Sequence, residues 1–172
     1  MPPRLFAALT LAALAALAAA ANAQEFPKLK PGLWNSTTTT VGRAKQEQRP
    51  SMLCLDESVQ QDMYRMSMGM MFGLCSKHDV KIAGNKITID AVCDLGVTKM
   101  VTNSVMTLTG NTSYRTEARA TFDPPLKNTP RESLTIIEGR HVGDCKPGQQ
   151  PGDMTLPNGQ NMNIRQWMAP KG

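Results

Sequence analysis

Two histidines, two tryptophans, two tyrosines and four phenylalanines are all the aromatic and imidazole side chains in 172 residues. With so few aromatics there is little from which to build the stacking platforms that hold single-stranded nucleic acid. The 19 Lys and Arg against 14 Asp and Glu are scattered and form no block of like charge. That balance favours solubility and weak attraction to anionic surfaces, and points to no nucleic-acid partner. Missing too are H-E-x-x-H, an EF-hand loop, G-x-S-x-G and a phosphate-cradling glycine loop. No two of the four cysteines stand at C-x-x-C spacing, which leaves a thioredoxin-like redox site or a zinc knuckle unsupported. Beyond Ala20 no apolar run is long enough to cross a membrane.

What is present begins with a leader. Arg4 precedes an Ala/Leu-rich run over residues 5–20, and Ala21-Asn22-Ala23 follows as a small-x-small cleavage pattern. The expectation is a signal peptide over 1–23, removed to leave Gln24 first. The alternative is a membrane anchor, but a run of about 17 residues, mostly alanine, is marginal for roughly 30 Å of hydrocarbon. No Cys follows the run, so a lipid anchor is not expected. Once cleaved, the chain carries no transmembrane anchor. Residues 24–172 are of a size for one domain with a real core. An even set of cysteines, Cys54, Cys75, Cys93 and Cys145, predicts two disulfides in an exported chain, because that compartment is oxidising.

Two Gly-Asn pairs organise the middle. "HDVKIAGNKITIDAVC" predicts a hairpin about Gly84-Asn85, with Ile82 facing Ile87 and Val80 facing Ile89. Extending that ladder sets Ser76 opposite Cys93, with Cys75 one residue away. A Cys75–Cys93 bridge is then reasonable and Cys54–Cys145 follows by elimination, although four cysteines allow three connectivities. A second hairpin turns about Gly110-Asn111 and stops at Pro124-Pro125, which cannot continue a ladder. Residues 134–142, the Thr-rich "PGLWNSTTTTVG" and "QRPSMLCL" supply the rest. The sum is a mainly β fold, α+β at most: an antiparallel meander sheet or partly closed barrel of about seven strands. The segment after Cys145 is rich in Pro, Gly and Asn. It is expected to be an irregular tail anchored by Met154, Leu156 or Trp167, with room for a short hairpin about Pro157-Asn158-Gly159.

One helix interrupts the strands. Ser58 with Gln61 fits a capping box, and Asp56 is an alternative cap. Val59, Met63, Met66, Met70 and Leu74 then recur at helical spacing. The prediction is a Met-rich amphipathic helix over 58–72 lying across an opening or face of the sheet, that row facing the core. Met68 and Met71 lie to its sides. Thioethers are soft ligands, and Met63, Met66 and Met70 share a face from which trigonal copper(I) binding is stereochemically allowed. The competing role is packing, since methionine fills irregular gaps and this is the helix's one long apolar stripe.

Catalysis has less support. His78 and His141 are the imidazoles; His78 starts a strand in a disulfide-flanked hairpin, and surface or edge positions are expected for both. Asp56 with Glu57, and Asp90 with Asp94, fall where caps and solvated edges are usual. No catalytic residue and no cofactor is assigned. A hydrolase whose carboxylates converge only in the fold stays open as an alternative.

Several phrases together resemble one family. "KPGLW", "CLDE", "CSKHDVKIAGNKITIDAVC", "FDPP" and "CKPGQQPGDMTLPNG" occur in that order over about 28–163. The chain is similar to a PGLW-type family of small exported bacterial proteins of the DUF3617 type, a domain of unknown function. The resemblance implies a periplasmic or secreted, compact β-rich domain and no mechanism. Members commonly carry Glu after the Trp of the PGLW phrase. Here the residue is Asn35, which keeps hydrogen bonding but loses charge and basicity. The resulting expectation is a non-catalytic exported protein that binds an apolar or amphipathic ligand, or a partner protein. A periplasmic copper(I) protein is the alternative. A ligand of the first kind requires an apolar concavity between sheet and helix.

Overall fold

The computed structural model describes residues 26–41, 50–127 and 129–168; the leader at 1–23 and Gln24 lie outside them. In chain order the elements are β1 (Gly32–Thr40), β2 (Ser51–Leu55), α1 (Glu57–Leu74), β3 (Cys75–Ala83), β4 (Lys86–Asp94), β5 (Lys99–Thr109) and β6 (Ser113–Asp123). There follow β7 (Glu132–Gly143), β8 (Asp153–Thr155), β9 (Asn161–Asn163) and α2 (Ile164–Met168). All nine strands form one antiparallel sheet in the order β3-β4-β5-β6-β7-β1-β2-β8-β9.

The sheet has nine strands where seven were expected, and two helices where one was. The additional strands come from the Pro/Gly-rich tail, which pairs Met154 with Leu53 and folds back so that Met154 meets Met162. Closure into a barrel does not occur: β3 and β9 are the two edges and are not neighbours. With three residues in β9 and α2 following at once, the chain offers no strand long enough to pair with β3. The tail is held chiefly by buried Ile164, and by Arg165, whose Nε donates to Asp62 Oδ2 at 3.0 Å. Met154 and Leu156 are half-buried, and the Trp167 side chain lies outside the described residues.

Turn chemistry sets the register. Gly84, at φ +59°, closes the first hairpin with Ile82 opposite Ile87 and Val80 opposite Ile89. A bulge between Cys75 and Lys77 then shifts the ladder by one residue, so Cys75, and not Ser76, stands opposite Cys93. Disulfides join Cys75 to Cys93 and Cys54 to Cys145. Such bridges suggest an environment outside the cytoplasm, and no described helix is long and apolar enough to cross a membrane.

Side chains of alternate residues point to one face. On one face the registers align Val80 and Ile82 of β3, Ile87 and Ile89 of β4, Met106 and Leu108 of β5 and Tyr114 and Thr116 of β6. Gly139 of β7, Ser36 and Trp34 of β1 and Leu53 of β2 continue it. The opposite face carries the charged ladder in which Arg115 Nη1 donates to Glu138 at 2.6 Å. The apolar face receives α1.

Helix α1 starts where β2 ends and runs directly into β3, and six strand spacings separate those two strands in the sheet. At about 4.8 Å per strand and 1.5 Å per helical residue, an 18-residue helix is about as long as that stretch of sheet is wide. It therefore bridges from one side of the sheet to the other. The cap is Asp56, which accepts from Val59 N at 2.7 Å, while Ser58 Oγ donates to the same carboxylate oxygen. The predicted Ser58–Gln61 box is replaced because Ser58 already lies inside the helix.

The predicted core-facing row is only half realised. Val59 is fully buried and Met63 packs against the core. Met66 is half-buried, and Met70 and Leu74 are 53% and 45% exposed. Periodicity placed these five on one face, but the last turns of α1 approach the edge of the sheet, where little floor remains beneath them.

Candidate functional site

The apolar face does not close into a single core. One buried cluster holds Trp34, Leu55, Val59 and Ile164; another holds Ile82, Ile87 and Leu108. Leu29 and Tyr114 pack against both. Beside them lies a cavity of about 460 Å³, roofed by the first two turns of α1 and by residues 26–29 and floored by β4, β5, β6, β1 and β2. Roughly 30 Å³ per water makes that about fifteen waters' worth of space, within the usual range for small-molecule pockets.

The roof is fastened at several points. Gln60 reaches from α1 to the Leu29 backbone twice, accepting from its N–H at 2.8 Å and donating to its carbonyl at 2.9 Å. Lys28 and Glu57 pair at 2.7 Å, both side chains more than half exposed. The Phe26 ring lies 3.9 Å from that of Tyr64, and Lys30 N–H donates to Asn111 O in the β5–β6 turn. Residues 26–30 thus form a strap over the opening. Nothing in their sequence pattern marked them, because the fastening is made by backbone groups, one glutamine, one exposed ion pair and one ring contact, none of which leaves a periodic trace.

The floor depends on one small residue. The Tyr114 ring lies over Gly139 on the neighbouring strand; a Cβ there would fall 2.2 Å from the ring. So placed, Tyr114 stacks on Trp34 at 5.7 Å, while Trp34 Nε1 donates to Lys30 O at 2.8 Å. Burial pushes the Tyr114 phenol up, and its hydrogen bond with Ser36 acts in the opposite sense. Ser36, Ser104 and Thr116 are the small hydroxyl side chains of the lining, and the Thr116 hydroxyl has no hydrogen-bond partner among the described residues.

The residues singled out from sequence are dispersed. Met63 lines the cavity, Met66 is half-buried further along, and Met70 is largely in solvent, so the three do not share one environment. Phe72 lies edge-on to the His78 ring at 4.5 Å, and His141 Nε2 sits 3.0 Å from Pro31 O. No described carboxylate forms an ion pair with either imidazole. Asp90 accepts from Asn103 Nδ2, and Asp94 from Gly96 N–H. Asp56 is lowered overall: burial pushes its carboxyl up, but hydrogen bonds from Val59 and Ser58 and the Arg165 charge outweigh this. These are caps and strand-edge contacts. A second, wider depression of about 710 Å³ mixes both signs of charge, from Lys77, Asp90, Arg119 and Glu132, with small apolar side chains such as Ala91, Val101 and Ala120.

Fold and cavity together define a β-rich shell with a helix bridging its apolar face and a strap over the gap. A model of the family described as a protein of unknown function (DUF3617) matches residues 29–145, and the chain belongs to that family. No curated protein and no solved structure matches it.

Proposed function

We propose that this is a non-catalytic exported protein, periplasmic or secreted, that holds an apolar or amphipathic small molecule between the sheet and α1. The observation that carries the reading is the apolar cavity beside the two core clusters. A protein gains stability by filling such space, since interiors are otherwise close-packed and each void forfeits dispersion contacts. Here the cavity is roofed by a strap held at named points, and its lining draws on five strands and a helix. The signal peptide expected at 1–23 and the two disulfides support export. No described carboxylate forms an ion pair with His78 or His141, which does not favour a histidine-based hydrolase. Copper(I) binding would need Met63, Met66 and Met70 to converge, and their differing exposure does not favour it.

The test is uptake of N-phenyl-1-naphthylamine, an uncharged probe that fluoresces in apolar surroundings, by the purified oxidised protein. Saturable uptake at one site, reduced by Leu108→Gln or by Met106→Gln, is the expected result. Absence of uptake, with native mass spectrometry of protein from its own host showing no retained small molecule, would remove the ligand and leave a partner protein.

A further inference from the structure

We infer that the ligand of this cavity is an uncharged, single-chain amphiphile whose carbonyl or hydroxyl meets the Thr116 hydroxyl. The inference rests on the binding reading above and narrows it to a chemical class. Of the twenty residues lining the cavity, Lys28 and Glu57 are the only ones with a full charge, and they face each other at 2.7 Å at the solvent-facing edge. Every floor residue is apolar, aromatic or a hydroxyl. An ionised head placed there would exchange water for a setting with no counter-charge, a transfer that strongly disfavours the charged form. The same exclusion of water shows in Tyr114, whose phenol is held above its usual range by burial.

Thr116 supplies the second observation. It is 8% exposed, it lines the cavity, and its Oγ1 is buried without a partner. Buried hydroxyls are nearly always hydrogen-bonded. This one has almost no exposed surface although Thr116 lines the cavity, so the occupant's oxygen meets it once rotation about χ1 turns the hydroxyl toward the cavity. Ser104 lies one strand over on β5, two residues along from Met106, the residue opposite Thr116. With Thr116 it forms a small neutral polar spot on a floor otherwise built from Ile87, Ile89, Met106 and Leu108. A head group of one or two neutral oxygens matches that spot. The volume, about fifteen waters' worth at roughly 30 Å³ each, suits one aliphatic chain and excludes a two-chain phospholipid.

The experiment displaces bound N-phenyl-1-naphthylamine with monolauroylglycerol and, separately, with laurate at pH 8, on the full oxidised chain. These share a twelve-carbon acyl chain and differ in the head. Monolauroylglycerol should compete at concentrations at least about tenfold lower, as expected when a buried charge lacks a partner. Thr116→Val, which keeps the side-chain shape, should weaken monolauroylglycerol about five- to tenfold, against a smaller change for the naphthylamine, whose one polar group is a single N–H. Ser104→Ala gives an independent check, with a smaller loss in the same direction. Laurate competing as well as or better than the glycerol ester, or Thr116→Val leaving the ester's competition unchanged, overturns the inference while the cavity reading stands. Failure of the wild type to take up the naphthylamine, with no small molecule retained in native mass spectrometry, overturns both.

Discussion

The first two turns of α1 and its last two share one apolar stripe, yet their surroundings differ. At the start, Val59 has no exposed surface, Gln60 grips the strap, and Asp62 and Ser58 are held by Arg165 of α2. At the end, Met70, Phe72 and Leu74 are 53%, 64% and 45% exposed, and the backbone passes straight into an edge strand. Each end has its own disulfide close by, Cys54 before the helix and Cys75 after it. The contrast shows that a stripe fixes which residues share a face, whereas burial depends on what the fold places opposite. Under the first turns lie sheet, strap and α2; under the last turns the sheet is running out.

The sharpest way to break this contrast is a charge at each end. Val59→Asp buries an unpaired carboxylate and is expected to cost more than about 4 kcal/mol, leaving no cooperative urea transition. Met70→Asp should fall within about 0.5 kcal/mol of wild type. Equal losses would show that the last turns are covered after all. The disulfides come next. The bridge closing a separation of 91 residues should contribute about 4.5 kcal/mol and the one closing 18 about 3 kcal/mol by loop entropy. Urea midpoints of Cys54→Ala/Cys145→Ala and Cys75→Ala/Cys93→Ala compare the two ends directly.

Gly139→Ala tests the floor beneath the well-packed end. With a Cβ 2.2 Å from the Tyr114 ring, the ring must move, at an expected cost of about 1–3 kcal/mol and with a shift in Trp34 emission. The smallest effect concerns the cap. Asp56→Ala should cost about 1 kcal/mol, whereas Asp56→Asn keeps the cap and removes the charge. The Asp56 carboxyl is lowered in the folded state from its ordinary 3.8, so its contribution is present above that value. It is lost as pH falls through the lower folded one. Urea midpoints between pH 2.5 and pH 7 should therefore drop less steeply in acid for Asp56→Asn than for wild type. An unchanged slope would assign the stabilisation to the cap alone.

How far the fold could be seen in the sequence follows from the same physics. Both central hairpins were legible because turn glycines and residue alternation agree, as at Gly84 between Ile82 and Ile87. The bulge at Cys75 was not, since one unpaired residue leaves no periodic trace. The helix was legible and its half-burial was not, for Met70 and Leu74 fit the stripe as well as Val59 does. The tail's short hairpin about Pro157-Asn158-Gly159 was legible from its turn residues and forms as β8 and β9, but its pairing with Leu53 and Met52 of β2 is a contact a three-residue segment cannot announce. The cavity left one faint signal: Ser36, Ser104 and Thr116 are small and hydroxyl-bearing at positions whose alternation points to the apolar face. Small side chains on an inward face leave space.

The position of β1 in the sheet has a consequence for how the chain assembles. β3 to β7 follow one another as a local meander, but β1 is bordered by β7, so that Ser36 meets Gly139 across a separation of about a hundred residues, the kind of long-range pairing that slows folding. The first strand made can pair at once with β2 but waits for β7, the last long strand, before it joins the meander. The Trp34–Tyr114 stack and the strap fastened beside it are then late events, formed on a meander that already carries the β4–β6 part of the floor. A chain halted before that step would have a shell without a roof.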